Sequence, residues 1–125
     1  MAETEVLSSR ILLRPVDWDR SVTFYRDVLG LAVYREFPGG VVFFLGGGLL
    51  EVSGRSPSPA EPNMQLWLQV RDVDAVYQRL AGAGVSVLQA PKDEPWGLRE
   101  CWISDPDAVR IGLIQVPEDH PLRRR

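Results

Sequence analysis

The sequence predicts an α+β fold of two βαβββ modules whose curved mixed sheets enclose a cleft. Three observations carry this prediction. One pattern of strand, helix and strand occurs twice, in VDWDRSVTFYRDVLGLAVY from Val16 and in VRDVDAVYQRLAGAGVSVL from Val70. Each helical stretch carries an apolar stripe at helical spacing, and each is followed by short β-rich runs separated by turn residues. A unit of about 50 residues with one helix on one sheet face leaves the other face uncovered, so two such units are expected to close over each other.

The elements follow in order. In both copies an Asp-x-Asp pair, Asp17 and Asp19 or Asp72 and Asp74, stands where a strand gives way to a helix. Aspartate suits that place because it can cap the first N–H groups and sits at the positive helix end. Val22, Tyr25, Val28 and Leu29 form the first stripe, and Val73, Val76, Tyr77 and Leu80 the second. Gly30, and Gly82 or Gly84, are placed as stops. Strands are expected at 32–37, 41–45 and 49–53 in the first module, and at 85–89, 99–104 and 110–116 in the second. GGG and DPDA supply the hairpin turns. The chain is thus one domain: a first module at 8–54, the Pro- and Ser-rich linker RSPSPAEPN at 55–63, a second module at 64–117, and a flexible tail at 118–125.

Composition excludes several classes. With a net charge of −3, the chain has no basic balance to suggest nucleic acid. No apolar run approaches a membrane span, and the opening residues show no secretory signal. A single cysteine, Cys101, allows no internal disulfide and fits a reducing cytoplasm. Cys101 lacks a partnered base and alternates onto the core side. The one histidine, His120, falls in the expected tail, so no Ser-His-Asp or Cys-His set is expected within the fold.

The stretch MQLWLQV, from Met64, is unusual. As a strand it turns Met64, Leu66, Leu68 and Val70 to the core, and Gln65, Trp67 and Gln69 to the other face. By the same alternation Trp102 shares a face with Glu100 and Ser104, while Trp96 lies in the loop before that strand. Three of the four tryptophans therefore gather in the second module. Trp18, at the first helix start, reads as a packing residue. Phe43, Phe44 and Tyr34 are candidates for an opposing wall, although VVFFL leaves its parity open.

Taken together, DWDRSVTFYRDVLGL, VRDVDAVYQRLAGAGV and PWGLRECWISDPDAVRIGL resemble the vicinal oxygen chelate superfamily, the glyoxalase, bleomycin-resistance and extradiol-dioxygenase group. The resemblance covers nearly the whole chain, and PWG-x-RE is closest to the bleomycin-resistance-like members. It implies the fold and, by family habit, a homodimer. Metal-dependent members take one ligand from the first and one from the last strand of each half. The positions here are Arg10 and Gln65, related by the same offset as the aspartate pairs, with Glu51 and Gly112. A guanidinium repels a divalent ion and glycine has no side chain, so no metal and no other cofactor is expected. The members that confer bleomycin resistance lack metal ligands and stack a flat, cationic or heteroaromatic drug between aromatic side chains.

The expected function is therefore binding of a small planar or aromatic molecule, possibly an antibiotic, without a catalytic residue. Trp67 and Trp96 would stack it, Trp102 would support them, and Arg10, Glu51 and Gln65 would orient it. An Arg10–Glu51 ion pair that merely fills the old metal position competes with the last assignment, and packing or dimerisation competes for the tryptophans. The alternative is a metal-dependent lyase, epimerase or dioxygenase using Glu51 and Gln65.

Overall fold

A computed structural model describes residues 3–59 and 63–123 as two compact units, Met1–Pro57 and Ser58–Arg125. The first contains β1 (Arg10–Leu13), α1 (Trp18–Thr23), β2 (Val33–Phe37), β3 (Gly40–Leu45) and β4 (Gly48–Ser53). The second contains β5 (Gln65–Gln69), α2 (Val73–Gly82), β6 (Ser86–Asp93), β7 (Arg99–Ser104) and β8 (Arg110–Gln115). The sheets run β1-β4-β3-β2 and β5-β8-β7-β6. In each, the first strand lies parallel to the last and the remaining pairs are antiparallel. Both units are thus βαβββ, the predicted arrangement. Among the described residues no helix is long and apolar enough to cross a membrane.

The aspartates start the helices by the expected chemistry. The Asp17 carboxylate accepts from the Arg20 N–H, and that of Asp72 from the Ala75 N–H, each at 3.1 Å. A second tie fixes α2 to its sheet: the Arg99 fork donates to both oxygens of Asp74, at 2.9 and 2.8 Å, and holds that carboxyl below its usual range. Gly30 and Gly84 end the helical segments at φ +83° and +81°, where a Cβ would be strained.

The first helix departs from the predicted periodicity. After Thr23 it widens into a π-helical turn, Phe24–Val28, with the Leu29 N–H donating to the Phe24 carbonyl at 2.7 Å. The wider turn buries Phe24 beside Val22, Tyr25 and Leu29 and leaves Val28 only half-buried. The Tyr25 ring meets Phe24 edge-on at 5.0 Å and Phe43 at 6.3 Å, so this turn carries the helix onto β3. In α2, Val73 and Leu80 are buried, whereas Val76 and Tyr77 are half-buried.

Strand β6 also differs. Expected to end at Gln89, it continues to Asp93 with register breaks between Val87 and Gln89 and between Gln89 and Lys92. Pro91 cannot donate to a ladder, and the irregular pairing lets the strand run on around it. Cys101 lies on the core side, buried with Ile103, Ile111 and Leu113; burial pushes its thiol up, away from reactivity. The expected linker at 55–63 spans the boundary between the units, and its residues 60–62 lie outside the described residues.

Candidate functional site

In the first unit, alternation along β1 and β4 turns Arg10 and Glu51 to the face away from the core. Arg10 Nη1 donates to Glu51 Oε1 at 2.7 Å, and Ser53 Oγ donates to Glu51 Oε2 at 2.6 Å. Arg14 Nη1 in turn donates to Ser53 Oγ at 2.6 Å. The Ser53 hydroxyl, then the Arg10 guanidinium, hold the Glu51 carboxyl below its ordinary value of 4.5. A depressed carboxyl contributes stability above its unfolded-state pKa and loses it as pH falls through the folded-state value. Urea midpoints measured downward from pH 4.5 should therefore fall in the native chain, and this component should be absent in Glu51→Gln. The loss should be small, because the Arg10 side chain is 38% exposed and screened by water.

Register settles the parity that VVFFL leaves open. Phe43 lies opposite Leu50 and is fully buried, while Phe44 lies opposite Leu49 on the other face. Phe44 meets Tyr34 edge-on at 5.2 Å, and both rings are about half exposed.

In the second unit, Trp67, Gly112 and Trp102 stand side by side on β5, β8 and β7. The indole of Trp102 lies over Gly112: a Cβ there would meet two of its ring atoms at 2.6 Å. The Arg110 guanidinium stands 5.9 Å from the centre of the same ring. Beside this row is a buried carboxylate, Glu100. Its Oε1 accepts from Trp102 Nε1 at 3.0 Å and its Oε2 from Trp96 Nε1 at 2.6 Å. Trp67 and Trp96 remain 48% and 58% exposed. Large apolar rings left open on a face that also buries a carboxylate are poorly explained by packing alone.

Trp96 is held from its backbone too. Its turn is closed by Glu94 N–H to Leu98 carbonyl at 2.8 Å and Gly97 N–H to Glu94 carbonyl at 2.9 Å. His120 Nδ1 accepts from the Leu122 N–H at 3.2 Å, which leaves Nε2 as the donor to the Trp96 carbonyl at 3.1 Å. The segment from 118, expected to be a flexible tail, therefore turns back onto the Trp96 loop and ends its described part in a short 3₁₀ helix, Pro121–Arg123. Arg124 and Arg125 lie outside the described residues.

The model of the Glyoxalase/Bleomycin resistance protein/Dioxygenase superfamily matches residues 8–113. The chain belongs to this superfamily. It is similar to uncharacterized protein YraH of Bacillus subtilis (strain 168), with 28% identity over 128 residues, 90% of this chain and 98% of that one. Its fold is similar to that of a superfamily protein from Nocardioides, at 20% identity and a TM-score of 0.76 over 97% of this chain and 90% of that chain. TioX from Micromonospora sp. ML1 is 25% identical, with a TM-score of 0.71 over 87% and 95% of the two chains.

The superfamily's metal positions can now be tested against their surroundings. Both oxygens of Glu51 already accept, one from a guanidinium and one from a hydroxyl. Gln65 is exposed at the start of β5. At Gly112 the space for a side chain is filled by Trp102 and by Ile114 Cδ1, which a Cβ would meet at 2.9 Å. Among the described residues, no three His, Cys, Asp or Glu side chains gather in one place. This donor set does not fit a divalent ion.

Two residues carry roles that the sequence did not assign. Strand alternation puts Glu100 on the Trp102 face but does not mark it as the acceptor for two indoles. The signal was the spacing W-x₃-E-x-W, which puts one carboxylate within reach of a strand neighbour and a loop above it. His120 gave no signal, because its partner is a main-chain carbonyl distant in sequence.

Proposed function

We propose that this superfamily member binds a small planar or aromatic molecule, antibiotics among them, on the tryptophan face of its second unit and without a metal or other cofactor. The observation that carries this reading is the pair of open indoles, Trp67 and Trp96, on a face where the Trp102 ring already covers Gly112. Because the Trp102 indole already fills the space over Gly112 on β8, a flat ring would lie against the exposed side of Trp67 rather than between the two tryptophans. Gln65, two residues before Trp67 on the same face, supplies a neutral donor and acceptor for orientation. The pairing of Arg10 with Glu51 and Ser53 favours the reading of that pair as an internal salt bridge.

Calorimetric titration with a panel of planar heteroaromatic drugs tests the proposal. Trp67→Ala and Trp96→Ala should each weaken binding by about 2- to 10-fold, since an aromatic contact contributes about 0.5–1.5 kcal/mol beyond buried area. Binding left intact by both changes would refute it. Tightly held metal at one equivalent, lost in Glu51→Ala, would replace it with a metal-dependent reaction.

A further inference from the structure

We propose that residues 116–122 form a strap that fixes the Trp96 loop for ligand binding, with His120 as the positioning residue. This rests on the reading of the tryptophan face. It adds a part of the chain that lies beyond 8–113, the stretch on which the superfamily match rests.

The strap is attached at both ends. At its root, just past β8, Val116 is 1% exposed and packs in one cluster with Ile114 and with Leu98, whose carbonyl closes the Trp96 turn. The chain then turns back, with the His120 N–H donating to the Pro117 carbonyl at 3.0 Å. At its tip the imidazole reaches the loop. Nε2 donates to the Trp96 carbonyl at 3.1 Å, while Nδ1 accepts from the Leu122 N–H at 3.2 Å. One neutral ring thus joins the loop to the short 3₁₀ helix.

Gly97 is the seat of this contact. Its φ is +92°, and a Cβ there would stand 3.1 Å from His120 Cδ2 and 3.4 Å from its Nε2. The imidazole therefore lies against the backbone of the residue that follows Trp96. A side chain at 97 would be strained by the backbone and would crowd the ring as well.

Trp96 is consequently held from two sides. Its indole N–H donates to Glu100 on β7, and its carbonyl accepts from the strap. A ring held by one hydrogen bond can still pivot about it; anchoring the main chain removes that freedom. The indole face, with Trp96 58% exposed, is then ordered before any ligand arrives, so the ordering cost of binding is smaller. His120 need not touch the ligand, because it acts through the Trp96–Gly97 peptide. By linkage, a ligand on Trp96 must favour the docked strap by the same factor that the strap favours the ligand.

The test follows amide hydrogen exchange in the full chain and titrates it calorimetrically with acridine, a planar heteroaromatic probe. His120→Ala should speed exchange of the Gly97 amide by about 10-fold and weaken acridine by about 3- to 10-fold, with the urea midpoint little changed. His120→Gln, whose side-chain N–H can replace the bond to the Trp96 carbonyl, should restore both. Saturating acridine should slow exchange of the Leu122 amide in the native chain and leave it unchanged in His120→Ala. Native exchange at Gly97 in His120→Ala would overturn the proposal, because the strap would not hold the loop. Faster exchange with full affinity would overturn it too, because the loop would be held to no effect on binding. If acridine fails to bind the native chain, the tryptophan-face reading falls, and the role of the strap in binding falls with it.

Discussion

Replacing Tyr25 with alanine is expected to lower the free energy of unfolding by about 3–5 kcal/mol, the range for truncating a fully buried aromatic ring. Tyr25 is 0% exposed and sits in the π-helical turn that seats the first helix on its sheet. Its ring is packed edge-on to Phe24 and tilted against Phe43, so truncation removes two aromatic contacts and opens a void that neither neighbour fills without leaving its own place. A domain of this size has about 5–15 kcal/mol in total, which makes the loss a large share. Urea unfolding at neutral pH gives the value, with Tyr25→Phe as the control that keeps the ring. A loss below about 1 kcal/mol in Tyr25→Ala would show that the first core does not depend on this ring.

Gly112→Ala should cost about 1–3 kcal/mol, although only a methyl group is added. The new Cβ would stand 2.6 Å from Trp102 ring atoms and 2.9 Å from Ile114 Cδ1. Ile114 is fully buried in a cluster with Leu98 and Val116, so it has no free direction. Trp102 could swing away, but only by giving up its 3.0 Å bond to Glu100 and its place beside Arg110. The cost should therefore depend on the indole. In Trp102→Ala, adding Gly112→Ala should cost clearly less, because only the Ile114 contact remains, giving a coupling of at least about 1 kcal/mol in a double-mutant cycle. Additive losses would mean that Trp102 does not occupy this space in solution.

Much of the fold was legible because its devices are local. The aspartate caps, the glycine stops and the period-two alternation of MQLWLQV each act within a few residues, and together they give both modules and the facing of Trp67. The π-helical turn was not legible: it depends on Phe24 finding a place in the core, which helical periodicity does not encode. The extension of β6 past Pro91 was hidden by proline, a local stop signal that register breaks overrode. In the candidate site, the metal positions could be read residue by residue from a resemblance. The Trp96–Glu100–Trp102 arrangement leaves only a spacing in the sequence, and the docking of His120 onto a main-chain carbonyl leaves no trace there.

Among the described residues, every strand pairing closes inside one unit. The β1–β4 ladder is complete once Ser53 is reached, and β5 begins only at Gln65. On the ribosome, the leading sheet can therefore finish its hydrogen bonding before the trailing one has been translated. A pause placed between the two coding segments should leave a nascent chain whose first half already resists protease, with no strand of the second half needed to protect it.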